Sequence, residues 1–167
     1  MRAYLDSSAI VKRYIKETGS ESIDVIYNAL EQESQLEGLT FSSWNFGEVF
    51  GAIDTRYQRR DITEEAMRES LLLFSQETKK FVAMRKVNVL PIGAKILAKT
   101  RELILKYHIY QADALQLSSA IQARAELFVS ADKKLVECGK TEQLKVLNPE
   151  RDHDLIEAAV TKKEEEE

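Results

Sequence analysis

The sequence predicts an α/β fold with a mainly parallel central sheet. Short apolar runs of strand length alternate with longer amphipathic stretches along the whole chain. Residues that start helices or end elements (Ser, Thr, Gly, Pro) fall at the joints between them. No internal repeat or linker interrupts the alternation. This is the pattern of strands joined by helical crossovers.

Tyr4-Leu5 begins the first strand, which ends at Asp6, and Ser7 or Ser8 caps a helix over Ser8–Lys16 that Gly19 stops. Ser22–Leu30 carries Ile23, Ile26, Tyr27 and Leu30 on one face, the spacing of a second helix. Leu39-Thr40-Phe41 is the next strand, and Ser42 or Ser43 caps a helix reaching about Arg60. Thr63 caps a long helix to about Lys86. Val87–Leu90 forms a strand closed by Pro91, and two helices follow over Ala94–Tyr107 and Gln111–Arg124. Leu127–Ser130 is the clearest strand; Asp132–Glu137 then reads as a short helix and Lys145–Leu147 as a last strand. One domain over 1–150 is expected, with residues 151–167 as a polar, acidic tail that is a solvated helix end or disordered.

Composition narrows the chemistry. The 167 residues are 44% hydrophobic and 31% charged, enough apolar material for one buried core. No apolar run approaches the roughly 20 residues needed to cross a bilayer, and the first residues lack a signal-like apolar core. A soluble, cytoplasmic protein without membrane contact is expected. Cys138 is the one cysteine and there are two histidines, which argues against a disulfide framework and against zinc held by nitrogen and sulfur. Any metal should be held by oxygen, as Mg2+ or Mn2+ are. The net charge of −4 equals that of Glu164–Glu167, so the rest of the chain is formally neutral and charge does not decide the partner.

The informative feature is where four acids fall. Asp6 ends the first strand, Asp132 follows the Leu127–Ser130 strand, Glu48 lies early in the helix after Leu39–Phe41, and Asp113 sits in the first turn of its helix. In a parallel α/β sheet, strand C-termini and helix N-termini share the rim where ligands bind. Carboxylates gathered there repel one another, and a divalent cation removes that cost. Two such ions roughly 3.5–4 Å apart can activate a water and stabilise the leaving oxygen of a phosphodiester. Ordinary roles remain open: Asp6, Asp113 and Asp132 all suit helix capping. Glu48 is harder to explain so, because Trp44, Val49, Ala52 and Ile53 make its surroundings apolar.

The sequences around these acids resemble the motifs of the PIN-domain family. Leu5-Asp6-Ser7-Ser8-Ala9-Ile10-Val11-Lys12 is similar to its opening motif, and Phe46-Gly47-Glu48-Val49 to its second. Gln111 to Ala120, with Asp113, resembles the third, and Phe128-Val129-Ser130-Ala131-Asp132 the fourth. The resemblance implies a Rossmann-like three-layer α/β/α sandwich and a Mg2+- or Mn2+-dependent endoribonuclease acting on RNA. It makes Asp6, Glu48, Asp113 and Asp132 the metal-binding catalytic acids, with Ser130, and less directly Ser8, orienting a ligand or water. Many single-domain members are toxins of VapBC-type toxin–antitoxin pairs, homodimers silenced by a small antitoxin protein. The start of the chain suits that group, although it is longer than a minimal toxin.

A nuclease must also hold phosphates, for which Lys12, Arg13, Lys133 and Lys134 are the candidates nearest Asp6 and Asp132; solvated surface charge is the alternative. Arg56, Arg59 and Arg60 are expected away from the rim, at their helix's C-terminal end. Trp44 is expected in the core, Cys138 in a loop without catalysis, and Leu71–Phe74 at a dimer seam. The competing readings are an RNA-processing nuclease without an antitoxin, a catalytically silent protein-binding module, and a phosphatase or phospho-accepting domain. Ser8 opposes the last, since that chemistry usually wants a second acid at this position.

Overall fold

A computed structural model describes residues 1–161. The Lys162-Lys163 pair and the terminal glutamates of the expected tail lie outside the described residues. The strands are β1 (Arg2–Leu5), β2 (Gly38–Ser42), β3 (Val87–Leu90), β4 (Leu127–Val129) and β5 (Val146–Leu147). All neighbours pair in parallel in the order β3-β2-β1-β4-β5. The chain builds outward from β1 to one side and then returns to build on the other. The switch point therefore lies between β1 and β4, where their C-terminal ends leave a crevice.

The helices are α1 (Ser7–Tyr14), α2 (Ser20–Glu31), α3 (Trp44–Gln58), α4 (Glu64–Ala83), α5 (Ala94–Tyr107), α6 (Gln111–Gln122), α7 (Lys133–Thr141) and α8 (His153–Val160). They cover both faces of the sheet. Alternate strand residues point to opposite sides. Ala3, Leu5, Leu127 and Val129 join one core with α1, α2, α3, α4 and α8, while Tyr4, Phe128 and Val146 join a second with α5, α6 and α7. The result is a three-layer α/β/α sandwich, as the alternation of elements predicts. Phe74 fastens α4 to this assembly, its ring meeting Tyr14 and Phe46 at 5.4 Å. At the start of α4 the Thr63 hydroxyl accepts from the Ala66 N–H at 3.1 Å, the cap its sequence signals.

Several expectations are corrected. Gly19 does not end the first helix, which stops at Tyr14; with φ of 88° it leads into α2. A Cβ on Gly19 would approach the Pro149 backbone carbon to 2.9 Å, so only glycine suits both the turn and the contact. Trp44 opens α3 at the surface, 42% exposed, because Val49 and Ile53 supply that helix's buried stripe. Cys138 is buried within α7, which runs on to Thr141. The expected polar tail begins with a packed helix: in α8, Ile156 and Val160 are fully buried in the α1–α4 core while Leu155 faces solvent. Its buried contacts, Ile156 with Ala159 and Val160 three and four residues on, fall within a single eight-residue segment, too short for the spacing to stand out.

Replacing Ile156 with alanine should lower the unfolding free energy by about 2–5 kcal/mol, the range for an emptied core site. Urea denaturation should show a lower midpoint at unchanged slope. An unchanged midpoint would return this helix to the status of a tail.

Candidate active site

Asp6 is placed by the end of β1 and by the start of α1. Its side chain caps α1, accepting from the Ala9 N–H at 2.8 Å, and it is almost fully buried. Two hydroxyls hold its oxygens: Ser8 Oγ donates at 2.7 Å and Ser130 Oγ at 2.6 Å. Ser130 follows β4, so this bond ties the two strand ends flanking the switch point. The Ala131 N–H donates to Ser8 Oγ at 2.9 Å and the Asp132 N–H to Ser130 Oγ at 3.1 Å, completing the stitch. Asp132 then caps α7 by accepting from the Leu135 N–H at 2.7 Å, and its side chain is solvent-exposed.

Glu48 reaches the crevice from the second turn of α3. Ser7 Oγ donates to it at 2.5 Å, and the Gln116 amide nitrogen of α6 donates to the same oxygen. Gln116 is buried; its Nε2 also meets Ser7 Oγ at 3.0 Å and its Oε1 accepts from the Tyr4 hydroxyl at 2.9 Å. Asn45 extends the network, accepting from the Ser42 N–H at 2.7 Å and donating to Ser7 Oγ at 3.1 Å. A layer of neutral polar side chains thus underlies the acids and aims them. Asp113 stands in the first turn of α6, half-buried.

All four acids line one cavity of about 580 Å3. They feel one another. Burial pushes the Asp6 carboxyl up to about 6; the Ser130, Ser8 and Ala9 donors oppose that shift and the charge of Glu48 adds to it. Asp113 is likewise raised, by burial first and then by the charges of Asp132 and Glu48, with Lys134 working the other way. Asp6 and Asp132 keep the helix-capping roles open in the sequence and also face the cavity, so the two readings are compatible.

The cations fare differently. Lys12 lines the cavity. Arg13 does not: one residue further around α1, it is bonded to Asp24 at 2.8 Å and Glu77 at 2.8 Å, with its guanidinium over the Tyr27 ring. Lys133 and Lys134 are exposed at the start of α7 and outside the lining, Lys134 donating to the His108 carbonyl at 2.9 Å. Arg56, expected away from the rim, lines the cavity instead. Ser7, Asn45 and Gln116 carry no local sequence signal for their positions here.

The donor set fits a hard divalent cation: every candidate ligand is a carboxylate oxygen. Burial first, and the neighbouring acids' charges after it, raise the Asp6 and Asp113 carboxyls, and a cation beside them would favour their ionised forms. Among the described residues, no three acidic, His or Cys side chains already stand close enough to share one ion.

An α/β sandwich with an oxygen-donor crevice at its switch point defines a class of ligand-binding domain. The family model for the PIN domain matches residues 3–140, and the chain belongs to that family. Solved structures share the fold. VapBC2 from Rickettsia felis, bound to a DNA fragment from its promoter, matches at 18% identity and TM-score 0.58, over 89% of this chain and 98% of that one. Mycobacterium tuberculosis VapC20, a sarcin–ricin loop cleaving toxin, matches at 10% identity and TM-score 0.58, over 82% and 95%. A toxin–antitoxin complex from Klebsiella pneumoniae matches at 17% identity and TM-score 0.53, over 88% and 97%. No curated protein sequence matches.

The buried Asp6 gives a pH signature. Its folded-state value lies above that of an exposed aspartate, so its contribution to stability is complete below about pH 4 and is lost as pH rises through about 6. In EDTA at pH 8, Asp6→Asn should be more stable than the parent by on the order of 1–3 kcal/mol, narrowing as pH falls toward 4. Thermal melts across that range check it; a difference independent of pH contradicts it.

Proposed function

We propose that the protein is a divalent-metal-dependent endoribonuclease that hydrolyses RNA phosphodiester bonds, as the toxin of a toxin–antitoxin pair. The single observation that carries the reading is the convergence of Asp6, Glu48, Asp113 and Asp132 on one cavity. PIN domains are nucleases that generally use divalent metal, and the similarly folded VapC20 is a sarcin–ricin loop cleaving toxin. Mg2+ or Mn2+ is the cofactor that the oxygen donors suit, and bound there it would activate water and offset charge on the phosphate.

Asp6, Glu48, Asp113 and Asp132 are the residues that would hold it. Ser8 and Ser130 fix Asp6 by donating to it, which keeps it aimed at the cavity. Gln116 and Ser7 do the same for Glu48. Removing such supporting partners typically costs 10–100-fold in metal affinity or activity. The buried Asp6 floor excludes bulk water on one side, while the exposed Asp132 leaves the other side open to substrate.

The neighbours described as VapBC2 and as a toxin–antitoxin complex support a small antitoxin protein as partner. A homodimer in the cytoplasm completes the proposal. Its seam would include Leu72 and Leu73 of α4, which are 58% and 45% exposed. No helix of the described residues is long and apolar enough to cross a membrane.

Single-stranded RNA incubated with the purified protein and Mn2+ should be cut, and EDTA should abolish cutting. Asp6→Asn and Glu48→Gln should each lower the rate by roughly 100-fold or more, the scale for losing one electrostatic element of a site. Cleavage at parental rate by both variants would end the nuclease reading.

A further inference from the structure

We infer that Lys12 and Arg56 form a second anion site in the same cavity, which takes the RNA backbone phosphate flanking the scissile one and which Glu17 occupies until RNA arrives. The inference rests on the ribonuclease reading above.

The cavity is a groove that continues beyond the acids. On α3, Glu48, Ala52 and Arg56 recur every four residues and all line it; on α1, Val11 and Lys12, three and four residues after Ser8, line it with Ser8. Eight helical residues put Arg56 about 12 Å along the axis from Glu48. That separation places the Arg56 end beyond the acids, where it would meet a backbone phosphate other than the scissile one. The small Ala52 side chain keeps the intervening wall low. Lys12 and Arg56 are the only cations among the described lining residues, against the four proposed metal ligands and two further glutamates. Among the described residues, a polyanion entering this groove meets no other positive charge on its wall.

The two cations are already arranged around an oxyanion. Glu17 bridges them, with Oε1 at 2.9 Å from Lys12 Nζ and Oε2 on the Arg56 guanidinium. One oxygen on each of two cations is also how a phosphate diester presents its two non-bridging oxygens. Lys12 is only 4% exposed, and an ammonium so buried needs anions beside it; Glu150 supplies a second at 2.7 Å. Glu17 lies in the α1–α2 connection and Glu150 in the β5–α8 connection. Either carboxylate can swing away without unfolding an element. By contrast, Arg13 is tied to Asp24 and Glu77, outside the groove. Glu17 is thus a positioning residue that holds Lys12 and Arg56 facing the groove and competes with substrate for them.

A mere brace between loops would behave differently, and the sign of one substitution separates the two. Binding of a fluorescein-labelled, mixed-sequence single-stranded RNA is measured by anisotropy in EDTA, across a salt series, for the full chain. Arg56→Gln should weaken binding roughly 3- to 10-fold at low salt. Its log–log salt slope should be shallower by about 0.7, the value of one lost contact on a single strand. Glu17→Gln should tighten binding, because it removes the competitor and leaves both cations. An unchanged affinity and slope for Arg56→Gln, or weaker binding by Glu17→Gln, overturns the site. So does a parent protein that binds no RNA. Cleavage of the same RNA with Mn2+, run in parallel on the parent, reports on the ribonuclease reading separately: cleavage with unaltered Arg56→Gln binding leaves that reading intact and removes only the second site.

Discussion

Carboxylates brought together at the edge of a parallel sheet lose solvent and repel one another, and the local structure around this site holds them there against both costs. Asp6 is nearly buried and its carboxyl is pushed up to about 6 by the lost solvation. It stays in place because two serine hydroxyls and one backbone N–H donate to it. Glu48 is held by Ser7 and Gln116 in the same way. With these neutral donors, the fold holds a concentration of negative charge that suits a small hard cation.

The sheet order explains how residues 126 positions apart, Asp6 and Asp132, come to share a cavity. Building first outward from β1 and then back across to β4 leaves two adjacent strands whose following helices diverge. Asp6 and Ser130 stand just beyond those two strands, and their hydrogen bond closes the gap between them. The same divergence lets α3 and α6 present Glu48 and Asp113 from either side. Stability and chemistry are therefore linked at one point: the bonds that join β1 to β4 also aim the first acid.

Much of this was legible in the sequence. Strand runs such as Leu127–Ser130 and capping signals such as Thr63 are local, so pattern and chemistry located them. The four acids could be assigned to one rim because a parallel sheet fixes where strand ends fall. What was hidden depends on contacts without a local signature. Gln116 finds Ser7 across 109 residues and Ser7 finds Glu48 across 41. Arg56 sits at its helix end in sequence, yet the four-residue spacing from Glu48 through Ala52 places it along the groove. Arg13 looked equivalent to Lys12 in sequence, yet one step around α1 turned it toward Asp24 and Glu77. Ile156, Ala159 and Val160 span too few residues for their spacing to reveal a packed helix.

Joint metal binding by these acids is what the proposed chemistry requires, and diffraction from crystals grown in Mn2+ tests it most directly. Anomalous difference density should appear in the cavity, within coordination distance of Asp6 and at least one of Glu48, Asp113 and Asp132. Density bound only elsewhere on the protein, or a cavity empty at saturating Mn2+, would contradict it.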